Sequence, residues 1–208
     1  MSMKLVKRIM AVTMAAALMI APALTAFAAT EEAKPTEPEP APIASVPVEK
    51  ESVVAVGGEV IKSQTAGVYS VETLAGVAVK ETPANIKAAA GLAANETPFV
   101  RAYDITEKKS PAAYASFKGA AASVGGEVLG AVNVDLGKLT AGKYSELPAG
   151  VSVPMTIGVK KAPAGKTLAA VKVSPGGATE ILADTDTNPN TVTFPITGGL
   201  SAYAVIAY

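Results

Sequence analysis

The sequence predicts a mainly β fold, an antiparallel β-sandwich-like domain with two short helices. Several segments alternate apolar and polar residues with a period of two, which is typical of strands with one face on a core. Four Gly-Gly pairs, at 57–58, 125–126, 176–177 and 198–199, separate these segments at expected turns. Only two segments begin with residues typical of a helix start. These three observations define the predicted class.

The first half of the domain contains most of the predicted strands. Each is a short run rich in Val, Ile, Tyr or Phe, bounded by Gly, Pro or Ser. The predicted strands are Val53–Val56, Glu59–Lys62, Gly67–Glu72, Gly76–Lys80, Phe99–Ile105 and Val128–Leu136.

Two helices are predicted between these strands. Thr82 is expected to cap a helix over Pro83–Ala93, and Ser110 a helix over Pro111–Val124, each with proline at its first position. In the second helix, one face carries an apolar set that we expect to pack on the sheet. The set is Tyr114, Phe117, Ala121 and Val124.

The strongest strand pattern lies at Val151–Val159. Its odd-numbered positions are all apolar, and its even-numbered ones are Ser, Pro, Thr and Gly. Because Pro154 has no N–H for a ladder, the strand is expected at a sheet edge or with a bulge. An exposed edge of this kind would also allow pairing between chains, so self-association is one alternative for the protein.

Four more strands and a turn follow Val151–Val159 in the sequence. Leu168–Val173 and Ala178–Ala183 flank Ser174-Pro175-Gly176-Gly177, a turn composition. Thr191–Ile196 alternates, with Val192, Phe194 and Ile196 expected inward and the threonines between them outward. Leu200–Tyr208 is apolar on both faces, which predicts a central strand. We expect the strands of the last sixty residues, which include Val151–Val159, to form an antiparallel meander.

Residues 1–28 have the pattern of a secretory signal peptide. A basic region at 4–8 precedes an apolar run at 9–24, and the small residues Ala26 and Ala28 form a cleavage site. Pro22 interrupts the run, so we expect cleavage and no membrane insertion afterwards. The protein is therefore predicted to be extracellular, and to be free or associated with the cell surface.

The chain after the signal peptide divides into a spacer and one domain. Residues 29–50 contain five prolines among Glu and Lys, a composition typical of an extended, semi-rigid spacer. Residues 51–208 show no second linker, and their number is sufficient for one β-rich domain with a buried core.

The composition excludes several classes of function. The chain contains no Cys, His or Trp, so thiol nucleophiles, disulfides, Cys/His zinc sites and His-containing triads are impossible. Eighteen basic residues balance eighteen acidic ones, which gives no reason to expect nucleic acid as a partner. We predict no enzyme, no catalytic residue, no cofactor and no metal site.

Two short motifs resemble known functional signals, one for attachment to the cell wall and one for calcium binding. Phe194-Pro195-Ile196-Thr197-Gly198 resembles a sortase signal, but the ten residues after it include no Lys or Arg and are too few to span a bilayer. Residues 184–190, Asp-Thr-Asp-Thr-Asn-Pro-Asn, resemble the first half of a calcium loop. Pro189 and Pro195 stand where that loop needs Gly and Glu, so a loop without metal is favoured and calcium stays an open alternative.

Paired carboxylates are the one remaining route to acid–base catalysis. Asp104 with Glu107, or Glu127 with Asp135, represent the alternative of an extracellular carboxylate-dependent hydrolase. Nothing in their spacing favours that reaction over solvated charges.

The pattern of residues 145–208 carries a family resemblance. This part of the chain resembles β-sandwich modules of secreted and surface-attached proteins of Gram-positive bacteria. The residues that carry the resemblance are the strand Val151–Val159, the segments Leu168–Val173, Gly176–Leu182 and Thr191–Phe194, and the closing Leu200–Ile206. The resemblance implies a non-catalytic module for binding, adhesion or cell-surface structure. Its partner would be a surface protein or a glycan, contacted through residues that the pattern does not identify.

Overall fold

The structure, a computed structural model, describes residues 52–208. The predicted signal peptide at 1–28, the spacer at 29–50 and Glu51 lie outside the described residues. None of the helices between residues 52 and 208 combines the length and apolar character needed to cross a bilayer.

Twelve strands and two helices make up this part of the chain, and the predicted mainly β class is confirmed. In chain order they are β1 (Val53–Val56), β2 (Glu59–Lys62), β3 (Gly67–Ser70), β4 (Val77–Val79), α1 (Pro83–Ala90), β5 (Glu96–Ile105), α2 (Pro111–Ser123), β6 (Glu127–Thr140), β7 (Lys143–Glu146), β8 (Ser152–Gly158), β9 (Leu168–Val173), β10 (Thr179–Ala183), β11 (Thr191–Thr197) and β12 (Gly199–Ala207).

The strands form a hairpin and two larger sheets. β1 and β2 pair only with each other, and β11-β8-β4 form a three-stranded sheet. The largest sheet has the order β10-β9-β12-β6-β5-β3, with β7 also paired to β6. All its pairs are antiparallel except β3 with β5, which are parallel. β12 lies between β9 and β6, so the prediction that the last strand is central is confirmed.

The two larger sheets enclose the main core. Alternate residues of the seven-stranded sheet, including Val100, Val132 and Tyr203, point to this core and define its inner face. They pack against Met155, Ile157, Phe194 and other fully buried side chains of the three-stranded sheet. The sandwich arises because strands from both halves of the chain each bury one apolar face.

Helix α2 packs on the opposite, outer face of the seven-stranded sheet. Phe117 and Ala121 of α2 are buried against a set of sheet residues that includes the small side chains of Ala131, Ala169 and Ala204. The alanines let the helix approach closely enough to bury the large Phe117 ring. The expected packing of this helix face is therefore confirmed, except that Val124, at the end of α2, is more than a third exposed.

The ends of the two helices are determined by the residues that flank them. Thr82 Oγ1 accepts a hydrogen bond from the Asn85 N–H at 3.2 Å, as expected of a cap. α1 ends at Ala90, earlier than predicted, because Gly91 adopts a left-handed conformation with φ of 62° and closes the last turn. Ser110 makes no side-chain capping bond, so that part of the prediction is wrong, although α2 still begins at Pro111.

The prediction of an edge position for Val151–Val159 is wrong. β8 lies between β4 and β11 and is the central strand of its sheet. Pro154 is tolerated because β4 pairs with β8 only as far as Met155, and because Pro154 faces Pro195 across β11. Neither proline needs a ladder donor at that position. The free edge invoked for self-association is therefore absent along Met155–Ile157.

The predicted meander is also wrong. β9 and β10 form the expected hairpin around the 174–177 turn, where the Gly177 N–H donates to the Ser174 carbonyl at 2.9 Å. The chain then crosses to the other sheet, where β11 pairs with β8, and returns as β12 beside β9. Alternation specifies which face of a strand is buried, but not which strand it pairs with.

Candidate functional site

Helix α2 covers only part of the outer face. It packs on β6, β9, β10 and β12, and leaves exposed the region where β5, the second half of β6 and the start of β12 lie side by side. Strand register places Leu200, Asp135 and Arg101 in one row across this region. Ala202, Asn133 and Tyr103 form the next row. We call these six residues, with Tyr144 and Glu146 of β7, the uncovered face.

A buried carboxylate lies at the centre of the uncovered face. The Asp135 side chain is only 7% exposed, and its Oδ2 accepts a hydrogen bond from Nη2 of Arg101. Its Oδ1 accepts a second bond from the Tyr144 hydroxyl at 2.5 Å. Each carboxylate oxygen therefore has a partner, which offsets the cost of removing the charge from water.

Arg101 is held on two sides. Its guanidinium carbon lies 3.7 Å from the centre of the Tyr144 ring, a cation–π contact, and its Nη2 is fixed by Asp135. The Tyr144 ring packs in turn edge-on against Phe99, with ring centres 6.4 Å apart. Nevertheless the Arg101 side chain is 38% exposed, so a fixed guanidinium edge faces solvent.

The electrostatics of this cluster keep the Tyr144 hydroxyl protonated. Burial, and then the hydrogen bond and negative charge of Asp135, raise the pKa of Tyr144 well above its ordinary value. A tyrosine hydroxyl is already protonated at neutral pH, and the raised pKa keeps Tyr144 a donor into the alkaline range. Because the Asp135 charge is offset by Arg101, the exposed carboxylate of Glu146 at the border leaves the uncovered face with a small negative charge.

Two large apolar side chains flank the polar centre. Tyr103 is 40% exposed and Leu200 is 46% exposed. They lie on β5 and β12, with β6 between them, so the two strands are about 10 Å apart. The uncovered face therefore presents two apolar contacts on either side of β6, whose Asn133 and Asp135 lie between them, while Arg101 lies beside Tyr103 on β5.

A shallow groove adjoins the uncovered face at Leu200 and Glu146. It has a volume of about 260 Å³ and runs past the start of β12, where β9 has already ended. Lys172 lines it and donates from Nζ to Thr197 Oγ1 at 2.9 Å. The groove is open to solvent.

The loop at 184–190 uses its side-chain oxygens to bind its own backbone. Asp184, Asp186 and Asn188 each accept a hydrogen bond from the N–H two residues later, at 3.0, 2.9 and 2.9 Å. Burial raises the pKa of Asp184, while its bonds from Asp186 and Thr193 act in the opposite direction. Within residues 52–208, no group of three or more Asp and Glu side chains is placed to hold a metal ion.

This loop also explains an error in the sequence interpretation of β11. Thr191 and Thr193 are buried, although alternation predicted them outward. Their hydroxyls donate to Asp186 Oδ2 at 2.9 and 2.6 Å, so the loop covers that face of the strand.

The carboxylate pairs considered for a hydrolase have separate surroundings. Asp104 accepts hydrogen bonds from the Glu72 and Thr73 N–H groups and so anchors their loop. Glu107 pairs with Lys118 of α2 at 2.7 Å. Glu127 and Asp135 lie eight residues apart on β6, roughly 25 Å along the strand, far beyond the separation of a glycosidase pair.

The sortase-like motif is part of the folded domain. Phe194 and Ile196 are fully buried in β11, and the Gly198 N–H donates to the Val151 carbonyl at 2.8 Å. A Cβ at Gly198 would lie 2.1 Å from the Pro148 carbonyl oxygen, so the close approach of these two segments of the chain requires glycine at position 198.

The residues of the uncovered face were not singled out from the sequence, apart from Asp135 in a different role. Arg101 and Asp135 carry opposite charges within two strands whose residues are mainly apolar, and this is the only signal in the sequence for a charged pair. Only the strand register shows that they are neighbours.

Comparisons with protein-family models, with curated proteins and with solved structures find no match to this chain. The resemblance of residues 145–208 to Gram-positive surface modules therefore stays an interpretation of the sequence pattern.

Proposed function

We propose that the protein is an exported, non-catalytic binding module and that the uncovered face is its binding surface. The single observation that carries the proposal is the Arg101–Asp135–Tyr144 cluster, which holds the partly exposed Arg101 side chain in place near the exposed side chains of Tyr103 and Leu200. Export rests on the signal-peptide pattern of residues 1–28, and the expected site of action is the extracellular space or the cell surface.

The energetics of the cluster support a binding role. A buried ion pair adds little to stability, and well-packed apolar residues in its place are often as stable or more so. The opposite face of the same strands is occupied by apolar residues such as Val100 and Val134. The packing of β5 and β6 therefore does not require the Arg101–Asp135 ion pair. A binding surface gains from it, because polar groups held in place before binding lose less conformational entropy when the ligand binds.

The chemistry of the chain supports binding over catalysis. Nucleophiles of the Cys type and bases of the His type are missing from the sequence. Asp104 and Glu107 serve a loop anchor and a surface ion pair. The groups that the uncovered face presents to solvent are recognition groups: an aromatic ring, a guanidinium and an amide.

The proposal is tested by retention of the purified protein on envelopes of the producing cell. Tyr103→Ala should reduce retention several-fold, because it removes the exposed ring of the uncovered face. Val60→Ala is the matched control, since Val60 is an exposed apolar residue on the β1–β2 hairpin. Absence of retention of the unaltered protein, or equal losses in both variants, would overturn the proposal.

A further inference from the structure

We infer that the ligand of the uncovered face is a neutral glycan, with a sugar ring over Tyr103 and sugar hydroxyls at Arg101 and Asn133. This inference rests on the binding function proposed above and names its ligand class. Three properties of the face support it: its charge, its alternation of apolar and polar groups, and its rigidity.

The charge of the face favours a neutral ligand. The Arg101 guanidinium is already paired with Asp135, so it does not act as a free cation for a phosphate or a carboxylate. Among the eight residues of the uncovered face, the exposed Glu146 leaves one negative charge, while Lys172 of the adjoining groove is bonded to Thr197. An acidic glycan or a phosphate ester would be repelled by Glu146 and would compete with Asp135 for Arg101.

The arrangement of apolar and polar groups fits a sugar better than a protein partner. A protein interface concentrates apolar residues at its centre and polar residues at its rim. The uncovered face is the reverse, because Asn133 and Asp135 lie between the exposed Tyr103 and Leu200. A glycan offers hydroxyl groups at its edges and apolar C–H groups on its ring faces. It can therefore satisfy Arg101 and Asn133 while covering the flanking apolar side chains.

The fixed position of Arg101 favours a ligand that offers uncharged hydrogen-bond acceptors, such as the hydroxyl groups of a sugar. Its side chain is held by the Tyr144 ring and by Asp135, so little rotamer entropy is lost when a hydroxyl accepts from its exposed edge. Nε of Arg101 is buried and has no hydrogen-bond partner among the described residues, so the accessible donors are on the terminal nitrogens.

The first experiment measures binding of the purified protein to a β-glucan, a mannan and a galactan, with polygalacturonate as the acidic counterpart. Tyr103→Ala should lower affinity for the neutral ligand about tenfold, and Tyr103→Phe should retain it because the ring remains. The side chain is exposed, so both variants are expected to fold, and their melting temperatures verify this. Tighter binding to polygalacturonate than to every neutral polymer would overturn the inference.

The second experiment separates the ligand class from the binding function. Envelopes are treated with periodate, which destroys vicinal diols of sugars, or with a protease, before the retention assay. Loss of retention after periodate alone supports the glycan even if the panel lacks the correct polymer. Loss after protease alone overturns the glycan and leaves the binding function standing. Absence of retention on untreated envelopes overturns both.

Discussion

Tyr144 occupies the space that a side chain at Gly137 would need. A Cβ on Gly137 would lie 2.3 Å from Cζ and from the hydroxyl oxygen of Tyr144. The ring can therefore lie against β6, where its hydroxyl reaches Asp135 and its face supports Arg101. The missing side chain at one position of β6 thus sets the geometry of the polar groups on the uncovered face.

Replacement of Gly137 by Ala should displace the Tyr144 ring. We expect a loss of about 1–3 kcal/mol in the free energy of unfolding, since the added methyl group meets a packed ring and backbone. Binding through the uncovered face should weaken as well, because Arg101 loses its support. Urea-induced unfolding and the envelope retention assay measure the two effects.

Gly119→Ala is the control for this substitution. Gly119 lies within α2 and has open space where its Cβ would be, so alanine there should stabilise the protein by about 0.5–1 kcal/mol. A loss of stability at Gly119 similar to that at Gly137 would show that the Tyr144 contact is not the cause.

Local sequence patterns predicted most elements of the fold. β9 has the predicted bounds, and both helices begin at the predicted prolines, because these features depend on periodicity and end chemistry within a few residues. β7 was missed because Lys143–Glu146 is short and mostly polar. The central position of β8 was missed because its proline lies beyond the end of β4, which is a property of another segment.

The candidate site was far less predictable than the fold. Arg101 and Asp135 are 34 residues apart and become neighbours only through the register of β5 on β6. The exposure of Tyr103 depends on which strands α2 covers, and the orientation of Tyr144 depends on Gly137. Such relations between distant segments leave no periodic signal in a single sequence.

Asp186 organises the loop over β11. Its carboxylate accepts hydrogen bonds from the Asn188 N–H and from the hydroxyls of Thr191 and Thr193. Asp186→Ala should cost about 1–3 kcal/mol, because the hydroxyls of Thr191 and Thr193 both lose their hydrogen bond to the carboxylate. Thr187→Ala, at an exposed position of the same loop, should change stability by less than about 0.5 kcal/mol.

Thermal unfolding of the unaltered protein and both variants, with and without calcium, tests whether the loop is held by its own hydrogen bonds and not by a metal ion. Because the Asp184 and Asp186 oxygens already accept bonds from the protein, we expect the same melting temperature in calcium and in a chelator. A rise of several degrees in calcium, abolished by Asp186→Ala, would show instead that the loop rearranges to bind the ion.

Phe117 anchors α2 to the outer face. Its ring is fully buried among small sheet residues such as Ala131 and Ala204, which cannot expand to fill a cavity. Phe117→Ala should therefore cost about 3–5 kcal/mol. Val124→Ala, at the partly exposed end of the helix, should have an effect below about 1 kcal/mol. Urea midpoints of the two variants check this, and similar midpoints would mean that the helix adds little to the domain.

Tyr69 makes the stability of the domain depend on pH in the alkaline range. Burial raises the pKa of Tyr69 to about 12, although its hydrogen bond with Ser63, 2.7 Å long, acts in the opposite direction. In the unfolded chain the same hydroxyl titrates near 10. Between pH 10 and 12 the unfolded state therefore loses this proton while the folded state keeps it. The free energy of unfolding falls across that range by roughly 2–3 kcal/mol from this group.

Tyr69→Phe removes this contribution without removing the ring. The variant loses the bond from the hydroxyl to the Thr65 carbonyl, so it should be less stable at pH 8 by about 1 kcal/mol. The difference between the two proteins should then shrink and reverse between pH 10 and 12, because only the unaltered protein has to keep a buried hydroxyl protonated. Urea unfolding at intervals from pH 8 to 12 measures the difference. A difference that stays constant over this range would show that Tyr69 titrates in the folded protein as it does in the unfolded chain.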